Sequence, residues 1–285
     1  MMPDTIDVPG NGAEWRALLD LRFARRGSET ILAGRSHRGP LRVQKALYPE
    51  GPDLCHAVIL HPPGGMAGGD RLQISLAAEA GAKALVTTPG AGKWYRSGGR
   101  PAGQNVTLAV APGGKMEWLP QETIFFDGVD AGLSMSVKLS DDAVFLGIET
   151  FCLGRLAAGE SFDRGQIRLR TRIEHNGSLI WSEHGLLEGG SAWLQAPAGL
   201  AGYPYCATLL AVSPEMDNSL LATCRRQAVQ ENTLNGMTLL PKGLLVARCL
   251  GHGQEPLREW FMKLWAVLRP ALLGRDARMP RLWHT

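Results

Sequence analysis

The chain has 285 residues, 45% of them hydrophobic, and a formal net charge of only +3. This length and apolar content predict a globular protein with a substantial core, built as one large β-type domain or two smaller ones. Lysines and arginines are interspersed with acids, which argues against a nucleic-acid-binding protein.

The N-terminal sequence MMPDTIDVPG carries acids and prolines where a secretory signal needs a basic region and an apolar run. No stretch approaches the ~18 apolar residues of a membrane span. The five cysteines lie far apart, and their odd number leaves no complete disulfide framework. We therefore expect a cytoplasmic protein with reduced thiols, in which residues 1–14 are a flexible segment and residues 15–285 are a single β-rich domain.

The segment AEWRALLDLRFARRGS, at residues 13–28, has apolar residues whose spacing fits a helix about as well as a strand. From about residue 41 to residue 187, short apolar stretches alternate with turn clusters such as PPGG, PGAG and FDGVDAG. The best strand candidates are residues 106–111, 133–139 and 143–148. This alternation predicts a β-rich domain.

The sequence QIRLRTRIEH-NG-SLIWSEHGLL predicts a β-hairpin with Asn176-Gly177 as a type I′ turn. In that register His175 faces Ser178, and Arg170 faces Glu183.

Two later segments, residues 219–232 and 255–274, have helical composition. In the second, apolar residues recur at helical spacing, and this stripe is expected to face the core of the chain or, less often, a partner. The stripe consists of Leu257, Phe261, Leu264, Trp265 and Leu268. Pro270 is expected to end or kink the helix. The basic run of Arg269, Arg275, Arg278 and Arg281 is expected to be a solvated, partner-facing end.

Two glycine-rich loops imitate nucleotide-binding loops. A P-loop requires Gly-x-x-x-x-Gly-Lys-Ser/Thr, but in TTPGAGKWYRS Thr87 stands at the first glycine and Trp94 follows Lys93. HPPGGMAGGD lacks the Gly-x-Gly-x-x-Gly order of a dinucleotide site. The sequence therefore predicts no nucleotide site.

Nucleophilic catalysis finds little support, because the chain has no Gly-x-Ser-x-Gly elbow. Cys55 and His56 are adjacent, but on a strand over residues 54–60 their side chains point to opposite faces. Cys55 is therefore expected to be a small buried hydrophobe rather than a nucleophile. The seven histidines show none of the spacings of a tight metal site.

Scattered acids such as Asp70, Glu149 and Glu183 can supply, with backbone carbonyls and water, a weak and transient route for a divalent cation. Each also has an ordinary structural explanation. Asp70 would cap the GGD turn, and Glu183 would pair across the hairpin with Arg170. Glu149 would pair with groups in the region of Arg155. The residues alone leave both interpretations open.

Six segments, taken together and in order, closely resemble the UreD family of urease accessory proteins, called UreH in some bacteria. The resemblance runs from about Trp15 to the last residue. The segments are RGPLRVQKALYPEG (38–51), HPPGGMAGGDRL (61–72), TTPGAGKWYRS (87–97), EWLPQETIFFDG (117–128), LGRLAAGESFDRG (153–165) and PRLWHT (280–285).

The resemblance implies a protein that is not an enzyme. UreD proteins bind apo-urease and, with UreF and the GTPase UreG, deliver nickel to its two-nickel site, so nickel would be in transit and no cofactor tightly bound. The implied fold is mainly β, a single large domain of stacked short strands, β-helix-like, with two α-helices toward the C-terminal half. It also implies that the ambiguous N-terminal segment is a strand.

The family mechanism suggested by the resemblance is passage of nickel through an internal water-filled channel. On motif position and chemistry, we expect the path to be lined by Asp70, Thr87, Thr88, Glu149 and Glu183. We also expect UreF to bind near the C-terminus, through an interface that buries aromatic side chains and has arginine at its rim. The expected contact residues are Trp260, Phe261, Trp265, Trp283 and Arg281.

Two other functions stay open. One is a small-molecule enzyme with its site in the HPPGG and TTPGAGK loops, in which His61 would be the general base and Lys93 an oxyanion or phosphate contact. The other is a nickel-storing protein.

Overall fold

The computed structural model describes residues 15–227 and 229–284. Residues 1–14, predicted to be flexible, lie outside the described residues. The described chain is mainly β with three helices, α1 (Ala192–Gln195), α2 (Asn218–Arg225) and α3 (Gln254–Leu273). The strands are β1 (Arg16–Arg26), β2 (Glu29–Arg38), β3 (Arg42–Val43), β4 (Cys55–Leu60), β5 (Arg71–Ala78), β6 (Lys83–Thr87), β7 (Gly92–Trp94), β8 (Ala102–Val110), β9 (Lys115–Leu119), β10 (Thr123–Phe125), β11 (Val129–Leu139), β12 (Val144–Leu153), β13 (Gly165–His175), β14 (Ser178–Glu188), β15 (Tyr205–Val212), β16 (Leu234–Leu240) and β17 (Leu244–Gly251).

The strands form two stacked sheets between which the chain passes back and forth. The first sheet has the order β14-β13-β11-β8-β5-β1-β2, and the second has the order β16-β17-β15-β12-β9-β6-β4-β3. In the middle of the molecule each turn of chain gives one strand to each sheet, so that β5, β8, β11 and β13 pair in parallel, as do β4, β6, β9 and β12. This solenoid of stacked strands confirms the predicted fold class.

The connections differ between the two edges of the solenoid. From the first sheet to the second they are short turns, with positive φ at Gly81, Gly113 and Asp141. We call this side the short-turn edge. The return connections are long and span residues 61–70, 88–101, 120–128 and 154–164, with β7 and β10 inside two of them. They define the long-loop edge, where most of the family-like segments lie.

Two cores stabilise the solenoid. The inward faces of both sheets form one core, which explains the alternation of β5, where Leu72, Ile74 and Leu76 are buried. The outer face of the second sheet packs against α2 and α3 in the other core. Strands of the second sheet are therefore covered on both faces, and residues 144–148 of β12 are all buried.

Most sequence-based element predictions are confirmed. The three strand candidates lie within or closely overlap β8, β11 and β12. The ambiguous N-terminal segment contains β1, as the family resemblance implied. The five cysteines are free thiols, and Cys55 is fully buried, which raises its pKa. Among the described helices, none combines the length and apolarity required to cross a bilayer.

The hairpin register differs from the prediction. His175 faces Ser178 as expected, but a bulge between Ile173 and Glu174 shifts the rest of the hairpin by one residue. Arg170 therefore faces His184 and not Glu183. The predicted register, in which Arg170 faces Glu183, is wrong at this position.

The helices also differ in detail from their predictions. The second predicted helix, α3, continues past Pro270 to Leu273 and ends at Gly274, which is left-handed and donates its N–H to the carbonyl of Pro270. The first, α2, stops at Arg225 instead of residue 232. Asn232 has a φ of 63°, which is incompatible with an α-helix. The four-residue helix α1 was not predicted.

Candidate functional site

A cavity of about 490 Å³ lies between the two sheets at the long-loop edge. Its wall combines residues of three long loops with inward-facing residues of the strands. The polar side chains of the wall are His61, Thr88, Lys93, Gln104, Gln121, Thr123, Glu149 and Thr150. The cavity reaches the surface beside Gly64, Gly90 and Lys93, which are exposed.

Two smaller cavities adjoin the large one. A cavity of about 70 Å³ is lined by Glu149, Arg170 and Glu183 among others, and it shares Leu133 and Glu149 with the large cavity. A third cavity, of about 40 Å³, lies against α3 and shares Pro120, Gln121 and Thr150 with the large one. The three cavities form a series in which each small cavity shares wall residues with the large one, and Glu149 belongs to the walls of the first two.

Strand alternation places Glu149 at this junction. Its neighbour Ile148 is buried in the outer core beneath the helices, so Glu149 points between the sheets, opposite Thr208 of β15. Burial, and then the charge of Glu183, raise the pKa of Glu149 to about 7. The prediction that Glu149 pairs in the region of Arg155 is wrong, because Arg155 forms a salt bridge with Glu160. At neutral pH the Glu149 carboxyl exchanges readily between its charged and neutral forms.

Glu183 also lines the small cavity and is partly exposed. Its carboxylate forms a salt bridge with Arg248 of β17, which belongs to the other sheet. The two sheets are therefore joined by an ion pair where the small cavity approaches the surface. The sequence did not predict this long-range pair.

Asp70 is buried at the start of β5 and caps its turn. Its Oδ2 accepts a hydrogen bond from the backbone N–H of Ala67 at 2.8 Å, as the structural alternative predicted. It is not among the residues that line the large cavity. Its charge nevertheless acts on the nearby His61 ring.

His61 lines the large cavity, and its Nε2 atom is buried without a hydrogen-bond partner among the described residues. Burial lowers the pKa of His61, and the charge of Asp70 offsets only part of this shift. The ring is therefore neutral at neutral pH, and neutral imidazole nitrogen is a ligand of borderline divalent metals. Sequence reasoning assigned His61 only to the enzyme alternative, because its unpaired nitrogen becomes visible only in the folded chain.

The two threonines of the TTPGAGK loop have different surroundings. Thr87 is fully buried and does not line the cavity: its hydroxyl donates to the Leu119 carbonyl at 2.5 Å and accepts from Trp283 Nε1 at 2.9 Å. Thr88 does line the cavity, and its hydroxyl accepts from the backbone N–H of Gln121 at 2.9 Å. The structure therefore brings Thr88, Glu149 and Glu183 to the series of cavities and leaves Asp70 and Thr87 beside it.

Among the described residues, no three His, Cys, Asp or Glu side chains are grouped so that they could hold a metal ion together.

Comparison with known proteins identifies the family. A family model described as UreD urease accessory protein matches residues 16–284. The chain belongs to the UreD family. The urease accessory protein UreD of Azoarcus sp. (strain BH72) is 51% identical over 271 residues, which cover 95% of this chain and 94% of that protein. The urease accessory protein UreD of Dechloromonas aromatica (strain RCB) is 47% identical over 283 residues, which cover 98% of each.

The aromatic residues that the UreD resemblance suggested as UreF anchors lie in the outer core. Trp260, Phe261, Trp265 and Trp283 are all buried, and the last three pack against one another with ring centroids 5.8–6.4 Å apart. Arg281 is exposed. The apolar stripe of α3 thus faces the core of its own chain. Partner binding by these residues stays a prediction, and for the four rings it would require them to leave the core.

Proposed function

We propose that this chain is a non-catalytic urease maturation factor that binds apo-urease and, with UreF and UreG, delivers nickel to the urease active site through the polar interior between its sheets. The observation that carries the proposal is the position of Glu149, which lines both of the cavities that meet there. The proposal concerns urease because the relatives of this chain are named urease accessory proteins.

The donors along the cavities suit a cation that must be bound and then released. His61 offers a neutral nitrogen, while Glu149 and Glu183 offer carboxylate oxygens, and nickel(II) accepts both donor types. A path that is favourable enough to attract the ion but has few ligands at each point allows the ion to move on. In this proposal Asp70 acts indirectly through its charge on His61, and Thr88 shapes the wall.

In this proposal, passage of the cation is coupled to loss and gain of a proton at Glu149. A carboxyl whose pKa is about 7 loses its proton at little cost when a divalent cation arrives, and it regains a proton when the cation leaves. The ion pair of Glu183 with Arg248 holds the next carboxylate in place near the surface.

Replacement of Glu149 tests the proposal. In cells that co-express urease with its accessory proteins, Glu149→Gln should lower the nickel content of purified urease at least about tenfold, because one ligand at the cavity junction is lost. The complex should still co-purify. Glu29→Gln, at an exposed position on β2, is the matched control and should leave nickel content unchanged.

Two results would contradict the proposal. One is normal nickel in urease made with Glu149→Gln, and the other is normal nickel in urease made without this chain. The second result would favour the enzyme alternative, for which His61 and Lys93 do share one cavity.

A further inference from the structure

Three long loops meet around one buried carboxylate, that of Asp127. Its Oδ1 accepts hydrogen bonds from the backbone N–H groups of Asp163 at 3.0 Å and Arg164 at 2.7 Å. Its Oδ2 accepts from the Arg164 guanidinium at 2.9 Å and lies 4.0 Å from the guanidinium of Arg96. Asp127 therefore ties together the loops of the segments TTPGAGKWYRS, EWLPQETIFFDG and LGRLAAGESFDRG. The proposed nickel path gives these contacts no role.

The side chains around Asp127 point outward. Arg96, Arg155 and Arg164 have side chains that are 65%, 45% and 68% exposed. Arg155 lies over the ring of Phe126, 4.5 Å from its centroid. We call these three arginines with Phe126 the arginine surface.

Backbone contacts hold the arginine surface in one shape. A Cβ atom on Gly154 would lie 2.4 Å from the carbonyl oxygen of Glu160, and one on Gly165 would lie 2.2 Å from that of Val129. Both glycines also have positive φ, so no other residue fits there without strain. A backbone held in this way has little conformational entropy to lose when the arginine side chains bind a partner, and arginine is among the residues that dominate protein interfaces.

The arginine surface carries a net positive charge. Asp127 is a single carboxylate between Arg96 and Arg164, and Glu160 is paired with Arg155. Each guanidinium has five N–H donors, of which a carboxylate uses at most two, so donors remain directed to solvent. Lys93 and Arg100, on the same loop as Arg96, are also exposed, whereas Asp163 is the exposed acid on the 154–164 loop beside them.

We propose that the arginine surface is the docking site for an acidic protein surface whose carboxylates accept hydrogen bonds from Arg96, Arg155 and Arg164. The surface adjoins the opening of the large cavity, because Lys93 and Thr123 line that cavity and each lies three residues before a member of the surface, Arg96 and Phe126 respectively. A partner seated there covers the opening. This inference rests on the proposed function for its candidate partners, which are apo-urease, UreF and UreG.

Charge reversal tests the docking site. Arg96→Glu removes an exposed guanidinium with only a distant ion pair, so the fold should be retained, and a melting curve checks this. Affinity for one of the three purified partners should fall about tenfold or more, and the remaining binding should depend less on salt. Arg155→Ala provides a second variant that introduces no new charge. Arg26→Glu, at an exposed site on the short-turn edge, is the matched control.

The outcomes separate this inference from the proposed function. If Arg96→Glu and Arg155→Ala bind all three partners with wild-type affinity, the docking site is wrong while the nickel path stands. If the wild-type chain binds none of the three, the proposed function fails, and the docking site fails with it. Glu149→Gln should bind like the wild-type chain, because that carboxyl lies between the sheets.

Discussion

Glu149 and Glu183 line the same small cavity, but different neighbours give them different properties. The carboxylate of Glu183 is held by Arg248, whereas the charge acting on Glu149 is that of Glu183. Because burial and a like charge both disfavour ionisation, the pKa of Glu149 rises to about 7 from an ordinary value of 4.5. A cation that binds between the two would therefore compete with a proton at Glu149.

This competition predicts a pH dependence of nickel delivery. Below pH 7 the proton occupies Glu149, and above it the carboxylate is free, so the rate of urease activation in a reconstituted complex should rise about tenfold from pH 6 to pH 8. Glu149→Gln should abolish this rise, while Glu29→Gln should keep it. An unchanged pH profile in Glu149→Gln would show that another group controls the rate.

At the level of elements, α3 is joined to the second sheet by a buried charge network. Arg269 is fully buried and donates hydrogen bonds to Glu117 and Glu50, whose side chains are also buried, and Glu50 contacts His56 Nε2 at 3.0 Å. Burial alone would raise the pKa of Glu50, but hydrogen bonds from His56 and Arg269 lower it to about 2. Burial raises the pKa of Glu117 despite Arg269. The prediction that Arg269 belongs to a solvated end is therefore wrong.

Removal of Arg269 should leave two uncompensated buried carboxyls. We expect Arg269→Met to reduce the free energy of unfolding by about 3–5 kcal/mol, as measured by urea denaturation. Arg278→Ala, at an exposed site beyond the same helix, should change it by less than about 0.5 kcal/mol. Adding Glu50→Gln and Glu117→Gln to Arg269→Met should restore part of the loss. Equal stability of Arg269→Met and wild type would contradict this account of α3.

Trp283, close to the C-terminus, is also part of the outer core. Trp283 donates to Thr87, packs on Phe261 and Trp265, and its carbonyl accepts from Arg258 at 2.6 Å. A deletion of residues 280–285 would remove these contacts, so a loss of UreF binding in such a variant would not by itself identify a UreF contact.

Two point variants distinguish these causes. Trp283→Ala should lower the free energy of unfolding by about 3–5 kcal/mol, because it removes a buried indole and leaves a cavity. Arg281→Ala should leave stability unchanged, since that side chain is exposed. Co-purification of UreF with Arg281→Ala then tests Arg281 as a contact. Retention of full binding would remove Arg281 from the partner site.

At the scale of the whole molecule, the two edges of the solenoid differ in the length of their connections. At the short-turn edge, short turns lead the chain from the first sheet to the second. The long-loop edge gathers segments that are far apart in sequence, forms the opening of the large cavity and carries the arginine surface. The alternating passage between the sheets explains this gathering, because each return connection comes back to the same edge.

The sequence by itself determined the fold class, several of the elements and the family. Alternation and glycine-rich turns predicted a β-rich chain, the apolar spacing of α3 predicted a helix with a packed face, and the glycine-rich segments carried the UreD resemblance. These signals are local, since they depend on residues a few positions apart. Within the candidate site, Thr88, Glu149 and Glu183 were chosen from the sequence and do line the cavities.

Only the tertiary structure decided which side chains meet. Glu183 pairs with Arg248 of the other sheet, and a one-residue bulge shifts the register of the hairpin on which Glu183 lies. Thr87 accepts a hydrogen bond from Trp283. Arg269 is buried between Glu50 and Glu117. The tertiary structure also left His61 Nε2 without a partner in the cavity wall among the described residues. The physical reason is that burial and charge pairing depend on the register of the parallel strands and the packing of α3, which join residues up to 219 positions apart.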